Sequence, residues 1–322
     1  MKKLLCFITC IFLINRVFCW GFFAHQRINY YAVFLLPPEM MLLYKPNIYF
    51  ISEHAVDPDK RRYVMESEGA HHFIDIDHYG RFPFSELPHD WKKAEEKFTR
   101  DSLIRYGIVP WWILIEKQRL TLAFKEKDRS AILKISADIG HYIADAHVPL
   151  HASTNHNGQL TGQEGIHGFW ESRIPELLAE KEWDFLIGKA DYIKDPAGFI
   201  WNRVLESASA ADTVLNEEKK LSGQHAESYK YGFEERKGKL VHQYSTAFSL
   251  EYDSKLNHMI ERRMRQSIYA VASFWYTSWV DAGQPDLKLL TTQDFSESEI
   301  KEFYRLDSLW KTGIAVDDEC NN

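Results

Sequence analysis

Apolar residues recur at three- and four-residue steps along most of the chain, a spacing that predicts amphipathic helices. The clearest run is formed by Ile132, Ile135, Ile139, Ile143 and Ala146. Pro149 is expected to end this helix near Val148, because the residue before a proline is driven out of helical geometry. The stretch GHYIADAHVPLH, residues 140–151, therefore lies on one predicted helix and its exit.

Two further helical segments have identifiable breaks. Gly107 and Pro110 interrupt an apolar-periodic stretch and predict a helix, a break and a second helix. One long helix is predicted through residues 252–283, stopped by Gly283 and Pro285. The apolar/polar alternation typical of strands is scarce. We therefore expect a mainly α fold, a compact bundle of eight or more helices.

The first nineteen residues have the layout of a secretory signal peptide. Lys2 and Lys3 precede an apolar run that is too short to cross a bilayer, and a more polar NRVFC follows. Cleavage after Cys19 would leave Trp20 as the first residue of an exported protein, periplasmic or secreted. Lipidation of Cys19 is the alternative, and it is disfavoured because residues 16–18 lack the small side chains that such processing usually requires.

Residues 20–322 are interpreted as a single domain, because the sequence contains no internal repeat and no long linker rich in Gly, Ser or Pro. The segment 216–243 is polar and dense in charge, and is interpreted as a loop excursion. Only Cys320 remains after loss of the signal, so no internal disulfide can form. A bound metal is then an alternative source of rigidity.

The charge balance restricts the partners. The chain carries a formal charge of −7, which becomes −10 once Lys2, Lys3 and Arg16 leave with the signal. No basic stripe is present, so stable binding to long duplexes is not expected. After processing, no apolar run is long enough for a transmembrane segment.

The predicted helix before Pro149 carries histidines and a carboxylate among apolar residues. His141 and Asp145 are four residues apart and share a face, and His151 follows beyond the proline. The same spacing recurs in HGFWE, with His167 and Glu171. One such pair alone is commonly a hydrogen bond that stabilises a helix. Two pairs with His151 between them favour metal binding, since buried groups of this kind are costly without a partner.

Further candidate ligands precede this region. Asp57 lies in EHAVDPDKRR, and His72 follows fifteen residues later. His25 lies five residues after Trp20, whose new amino group and carbonyl oxygen could bind zinc after cleavage. In that case removal of the signal would be required to assemble the site.

Together these motifs resemble the superfamily that joins bacterial zinc-dependent phospholipases C to the single-strand-specific trinuclear-zinc nucleases. The likeness extends in motifs from Trp20 to about Glu176: an N-terminal Trp after processing, His-x3-Asp-x5-His, then His-x3-Asp/Glu. It implies a mainly helical fold of this type and zinc-dependent hydrolysis of phosphodiesters by a metal-activated water.

The resemblance implies three zinc ions and assigns a ligand set to each. The first set is Asp57, His72, His141 and Asp145; the second is His151, His167 and Glu171; the third is Trp20, His25 and Asp145. Asp145 would therefore bridge two ions. Nitrogen and oxygen donors suit zinc, although ligand type alone is also compatible with manganese or iron.

The resemblance also suggests roles in catalysis. Asp57 is the candidate for orienting or deprotonating the attacking water. Lys60 or Arg61 is the candidate phosphate contact, but the nuclease pattern has Arg three residues after the aspartate, where this chain has Lys60. Phe73 follows the ligand histidine His72, where the nucleases stack a base; plain core packing is the alternative for this side chain.

The motifs divide between the two branches of the superfamily. The short Trp20-to-His25 spacing and the fifteen-residue gap before His72 resemble the nucleases, and Phe23 lacks the acidic group that can meet a choline head group. Glu171 in place of aspartate resembles the phospholipases, and the nuclease-type cysteines are absent. We expect a nuclease acting on single-stranded nucleic acid or nucleotides. A phospholipase C acting on phospholipid head groups and a non-catalytic exported zinc-binding protein are the alternatives.

Overall fold

A computed structural model describes residues 21–236, 238–291 and 294–312. The predicted signal peptide 1–19, the proposed ligand Trp20 and Cys320 lie outside the described residues. The helices are α1 Phe22–Ala32, α2 Pro38–Tyr44, α3 Ile48–Glu53, α4 Asp57–Arg61, α5 Trp91–Phe98, α6 Arg100–Arg105, α7 Val109–Glu126, α8 Arg129–Asp145, α9 Ile166–Gly168, α10 Ile174–Leu178, α11 Pro196–Gln224, α12 Glu227–Lys230, α13 Thr246–Lys255, α14 Met259–Asp281 and α15 Glu297–Thr312. Strands β1 Tyr231–Arg236 and β2 Lys239–Tyr244 form an antiparallel hairpin. The mainly α fold is confirmed.

Helix α8 lies at the centre of the molecule and packs against α1, α7 and α14. The Asp128 side chain caps its N-terminus by accepting a hydrogen bond from the Ala131 amide, and every residue from Ile139 to Asp145 is buried. The helix ends at Asp145, three residues before the end predicted near Val148, and Pro149 begins a 3₁₀ turn. The polar residues of this helix are therefore held inside the core.

Gly140 allows α1 to lie unusually close to α8. A Cβ at this position would collide with the amide of Asn29 on α1. That amide donates from Nδ2 to the carbonyl oxygen of Ala137 at 3.0 Å. The close approach stacks the ring of His25 on that of His141, with ring centroids 3.8 Å apart.

The long helix predicted over 252–283 is interrupted. α13 ends at Lys255 and α14 begins at Met259, with Asn257 and His258 at positive φ between them. His258 Nδ1 lies 2.7 Å from Asp253 Oδ2, and this local contact holds the turn. Helical periodicity continues across the break, so the apolar pattern did not reveal it.

The segment 216–243 is not a loop, and that interpretation was wrong. It contains the end of α11, then α12 and most of the hairpin. The segment is polar, but the carboxylate of Glu218 within it is buried and accepts hydrogen bonds from Gln163 and Lys230. Within the described part of the chain, no helix is both long and apolar enough to cross a membrane.

Candidate metal centre

Three groups of buried side chains could each hold a metal ion. Within each group the donor atoms lie within 4.8 Å of one another. The groups are His25, His141 and Asp145; Asp59, His72 and His141; and His151, His167 and Glu171. Among the described residues, the predicted ligands are thus brought together from α1, the segment after α4, α8, the turn after α8 and the start of the α9–α10 region, with Asp57 the exception. The predicted ligand Trp20 lies outside the described residues.

Asp145 lies where the groups meet. Its Oδ2 atom is 3.0 Å from His72 Nδ1 and 3.2 Å from His141 Nε2. Its Oδ1 atom is 3.4 Å from His25 Nε2 and 4.0 Å from His151 Nε2. The two oxygens of one fully buried carboxylate therefore face different sets of imidazoles.

Backbone carbonyl groups orient three of the rings. The Nδ1 atom of His141 donates to Ala55 O at 2.8 Å, and that of His151 donates to His72 O at 2.7 Å. His167 Nδ1 donates in the same way to His156 O at 3.1 Å. Since each Nδ1 donates to a carbonyl oxygen, Nε2 is the nitrogen left facing the cluster, the arrangement in which histidines can bind a metal.

A π-helical turn carries Glu171, the last of the predicted ligands. Residues 169–173 form this turn between α9 and α10, and it leaves His167 Nε2 3.0 Å from Glu171 Oε2. His151 Nε2 lies 3.4 Å from the same oxygen. The hairpin supports the turn, because Phe169 stacks on Tyr244 at 3.7 Å. Single π turns often occur at functional sites.

Asp57 does not join the cluster, and Asp59 takes the place predicted for it. Asp59 Oδ1 lies 3.8 Å from His72 Nδ1 and 3.7 Å from His141 Nε2. Asp57 instead contacts His54 at 2.5 Å and Lys60 at 3.0 Å. Two positions along a helix correspond to a rotation of about 200°, so these carboxylates on α4 point in nearly opposite directions.

Lys60 does not face the cluster, because it lies in a separate ion pair. Its Nζ atom donates to Asp57 Oδ1 at 3.0 Å and to Asp307 Oδ1 on α15 at 2.6 Å. The side chain is largely buried between the two carboxylates. The predicted role of Lys60 as a phosphate contact disagrees with this arrangement.

Arg61 is also engaged inside the protein. It donates to both oxygens of Asp138, at 3.3 and 2.9 Å, and to Glu68 Oε2 at 3.3 Å. Glu68 Oε1 in turn lies 3.7 Å from His72 Nε2, on the side of the ring opposite the cluster. Burial favours the neutral form of Glu68, but the nearby imidazoles of His71 and His72 and the charge of Arg61 hold its pKa well below its usual value. Arg61 therefore contacts the carboxylate beside the predicted ligand His72, and its prediction as a phosphate contact disagrees with these internal ion pairs.

Glu68 is a supporting residue that the sequence did not reveal. It belongs to a 3₁₀ turn, whose short length gives no helical pattern to assign its face. Phe73, by contrast, is half-buried next to His72, with its ring against the backbone of Gly107. It is not a member of the hydrophobic core cluster.

The cluster concentrates carboxylate oxygens that find no hydrogen-bond donor among the described residues. These oxygens are both of Asp59, Oδ1 of Asp145 and both of Glu171. Burying such groups costs several kcal/mol unless a cation or donor compensates them. Their chemistry and that of the imidazoles around them fit metal ions, so these buried groups could hold a metal.

Charge interactions inside the cluster are strong. Burial acts to raise the pKa of Asp145, but His141 and His151 hold it well below its usual value. Burial lowers the pKa of His25 to about 4, and His141 adds to this effect. For His141 itself, Asp145 and Asp59 outweigh burial and raise the pKa to about 9. The cluster therefore favours positive charge next to Asp145.

Neither the family models nor the curated proteins with which the chain was compared contain a match.

Proposed function

We propose that this protein is a zinc-dependent phosphodiester hydrolase that cleaves single-stranded nucleic acid or nucleotides. The observation that carries the proposal is the position of Asp145 between sets of imidazoles, one for each of its carboxylate oxygens. A carboxylate so placed suits neighbouring divalent ions. We infer three zinc ions, with Asp59 replacing Asp57 in the first ligand set.

The donor set supports zinc. It consists of imidazole nitrogens and carboxylate oxygens without thiolate. The third set would be completed by the amino and carbonyl groups of Trp20. Gly21 supports this part of the proposal, because it is buried and a Cβ there would lie 2.7 Å from Ser172 Oγ, next to Glu171.

Bound zinc would supply an activated water and neutralise charge on the phosphate. The protein's own residues would fix where these events occur. Asp59 takes over the role proposed for Asp57, because its unpartnered oxygens lie at the cluster and could accept a proton from the attacking water. The nuclease pattern of Arg three residues after this aspartate then corresponds to Arg62 rather than to Lys60 or Arg61.

Phe73 is the candidate for holding a base. Its ring is half-buried, belongs to no core cluster, and directly follows the ligand candidate His72. Stacking on one aromatic ring contributes about 1–3 kcal/mol per base. Phe73→Ala should therefore weaken cleavage of oligonucleotides while leaving hydrolysis of a small diester without a base unchanged.

A phospholipase C is the second candidate, and Glu171 favours it, because the phospholipases have glutamate where the nucleases have aspartate. Under either proposal the protein is exported through its signal peptide. A non-catalytic zinc-binding protein would hold the same ions without turnover.

The deciding experiment combines metal content with hydrolysis. The processed protein, starting at Trp20, is assayed for zinc and for hydrolysis of bis-p-nitrophenyl phosphate with and without EDTA. We expect about three zinc ions per chain and hydrolysis that EDTA abolishes. Bound zinc without hydrolysis would indicate the non-catalytic alternative.

Substrates then separate the branches. Single-stranded DNA, RNA and phosphatidylcholine vesicles are supplied in parallel, with a Glu171→Gln variant as the inactive control. Cleavage of the oligonucleotides is expected. Release of diacylglycerol with intact oligonucleotides would replace the nuclease proposal by the phospholipase.

A further inference from the structure

A cleft between α11 and α14 shares no lining residue with the metal groups. Its volume is about 360 Å³, within the range of sites that hold small molecules. Its lining is rich in polar and basic side chains: Glu206, Ser209, Ala210, Thr213, Met259, Arg262, Arg263 and Gln266. We refer to it below as the arginine cleft.

The arginine cleft contains more positive than negative charge. Arg263 is only 7% exposed, and its guanidinium contacts Glu206 Oε2 at a long 3.4 Å. Glu206 is shared between Arg263 and Arg203, because its Oε1 atom lies 2.6 Å from Arg203 Nη2. Arg262 is a second guanidinium of the lining, whereas Arg203 lies outside it. The three arginines and Glu206 together carry an excess of two positive charges, one of which belongs to the lining itself.

This arrangement is unlike that of Arg61, a partly buried arginine beside the candidate metal groups. Arg61 contacts the carboxylates of Asp138 and Glu68, which raise its pKa well above the usual value. Burial instead lowers the pKa of Arg263 to about 10; Glu206 opposes this change, and Arg203 and Arg262 add to it. A buried cation that is incompletely paired is unfavourable, and a bound anion would compensate it.

The neutral side chains around the arginines also suit a bound anion. Thr213 and Gln266 are exposed residues of the cleft wall whose hydroxyl and amide groups can donate hydrogen bonds. Arginine binds phosphate with two parallel N–H···O bonds. At neutral pH a terminal phosphate carries close to two negative charges, which matches the excess of Arg203, Arg262 and Arg263 over Glu206.

We propose that the arginine cleft binds a terminal phosphate group, as free inorganic phosphate or as a small phosphate monoester. A phosphodiester within a strand carries one charge per phosphate and would leave half of the excess uncompensated. This binding needs no metal and does not depend on the hydrolase proposal.

The test measures binding of inorganic phosphate and of adenosine monophosphate to the metal-loaded protein by isothermal titration calorimetry. Arg262→Gln is the main variant, because Arg262 is exposed and its loss should not disturb folding. Arg263→Gln is the second. Arg265→Gln is the matched control on the same helix, where the side chain instead donates to Leu186 O at 3.2 Å.

Phosphate can also bind at the metal centre, so each titration is repeated in a Glu171→Gln background. In that background we expect one remaining site per chain, which Arg262→Gln weakens at least about tenfold. Arg265→Gln should leave it unchanged. Binding of both probes would identify a monoester site, and binding of inorganic phosphate alone would identify a free-phosphate site.

The proposal is overturned if Arg262→Gln and Arg263→Gln bind phosphate like their parent. It is equally overturned if Glu171→Gln alone removes all binding. Since phosphate binding is read independently of turnover, a protein without phosphodiesterase activity can still pass this test.

Discussion

The candidate metal cluster and the arginine cleft both hold charges that are incompletely compensated, but they do so by different means. In the cluster, carboxylates and imidazoles from distant parts of the chain meet inside the core, and backbone carbonyls fix the rings. In the cleft, α11 and α14 contribute neighbouring guanidiniums around the carboxylate of Glu206. The burial of the cluster makes its charges far more costly to leave uncompensated. We therefore expect changes in the cluster to have larger effects than changes in the cleft.

The largest effect is expected from Asp145→Asn. The change keeps the shape of the side chain but removes the charge that faces both sets of imidazoles. Metal content should fall in more than one ligand set, and phosphodiester hydrolysis should fall at least about 1000-fold. Elemental analysis and initial rates provide the measurements. Asp253→Asn, another buried aspartate paired with a histidine, is the control and should keep its metal.

Removal of the metal should have the second-largest effect. The chain would be left with buried carboxylate oxygens that lack donors, so the folded state loses the stabilisation that binding supplied. At metal concentrations about 1000-fold above Kd, that stabilisation is roughly 4 kcal/mol. Urea unfolding with and without EDTA measures it, and Asp145→Asn should show a smaller difference. Superimposable unfolding curves for the untreated and EDTA-treated protein would contradict metal binding in the core.

A smaller effect should distinguish the two aspartates of α4. Asp59→Asn should lower metal affinity about 10- to 100-fold, because its carboxylate faces His72 and His141. Asp57→Asn, a matched change two residues away, should leave metal content unaltered. Competition with a chromogenic chelator compares the affinities. The reverse order would restore Asp57 as the ligand.

The smallest effect concerns Glu116, a buried carboxylate outside both regions. Burial raises its pKa to about 7, Asp138 acts in the same direction, and Arg119 opposes them. The folded state therefore holds this proton more tightly than the unfolded state, whose pKa is near 4.5. The free energy of unfolding should then decrease by roughly 2–3 kcal/mol on this account as the pH rises from about 4.5 to 7.

Glu116→Gln should remove this part of the pH dependence. The variant should gain stability relative to the parent as the pH rises, and the gain should vanish below about pH 4.5. Urea unfolding across this pH range measures the difference, with the exposed Glu96→Gln as the control. A constant difference between variant and parent at all pH values would show that Glu116 does not titrate in this way.

The sequence predicted the parts of the site that follow a regular period. His141 and Asp145 are four residues apart on a long apolar helix, so a shared face followed directly from the spacing. His167 and Glu171 kept their contact although the helix widens there into a π turn.

The same reasoning from periodicity failed for short elements. α4 has only five residues, so no apolar stripe indicates which of Asp57 and Asp59 points inward. Lys60 finds its partner Asp307 at the other end of the chain, and no local pattern encodes that contact. The sequence pattern did not predict the hairpin, because most of its residues are polar. Tyr231 and Tyr244 pack it against the core.

The carbonyl groups that hold His141, His151 and His167 belong to Ala55, His72 and His156. Replacing the side chain of Ala55 or His156 leaves the carbonyl in place, so alanine scanning at these two positions would miss their contribution to ring orientation. Only chemistry that alters the main chain itself, such as replacing an amide by an ester, can weaken these acceptors one at a time. In this protein the path of the backbone sets the orientation of these three imidazole rings, and that orientation can persist while the surrounding sequence changes.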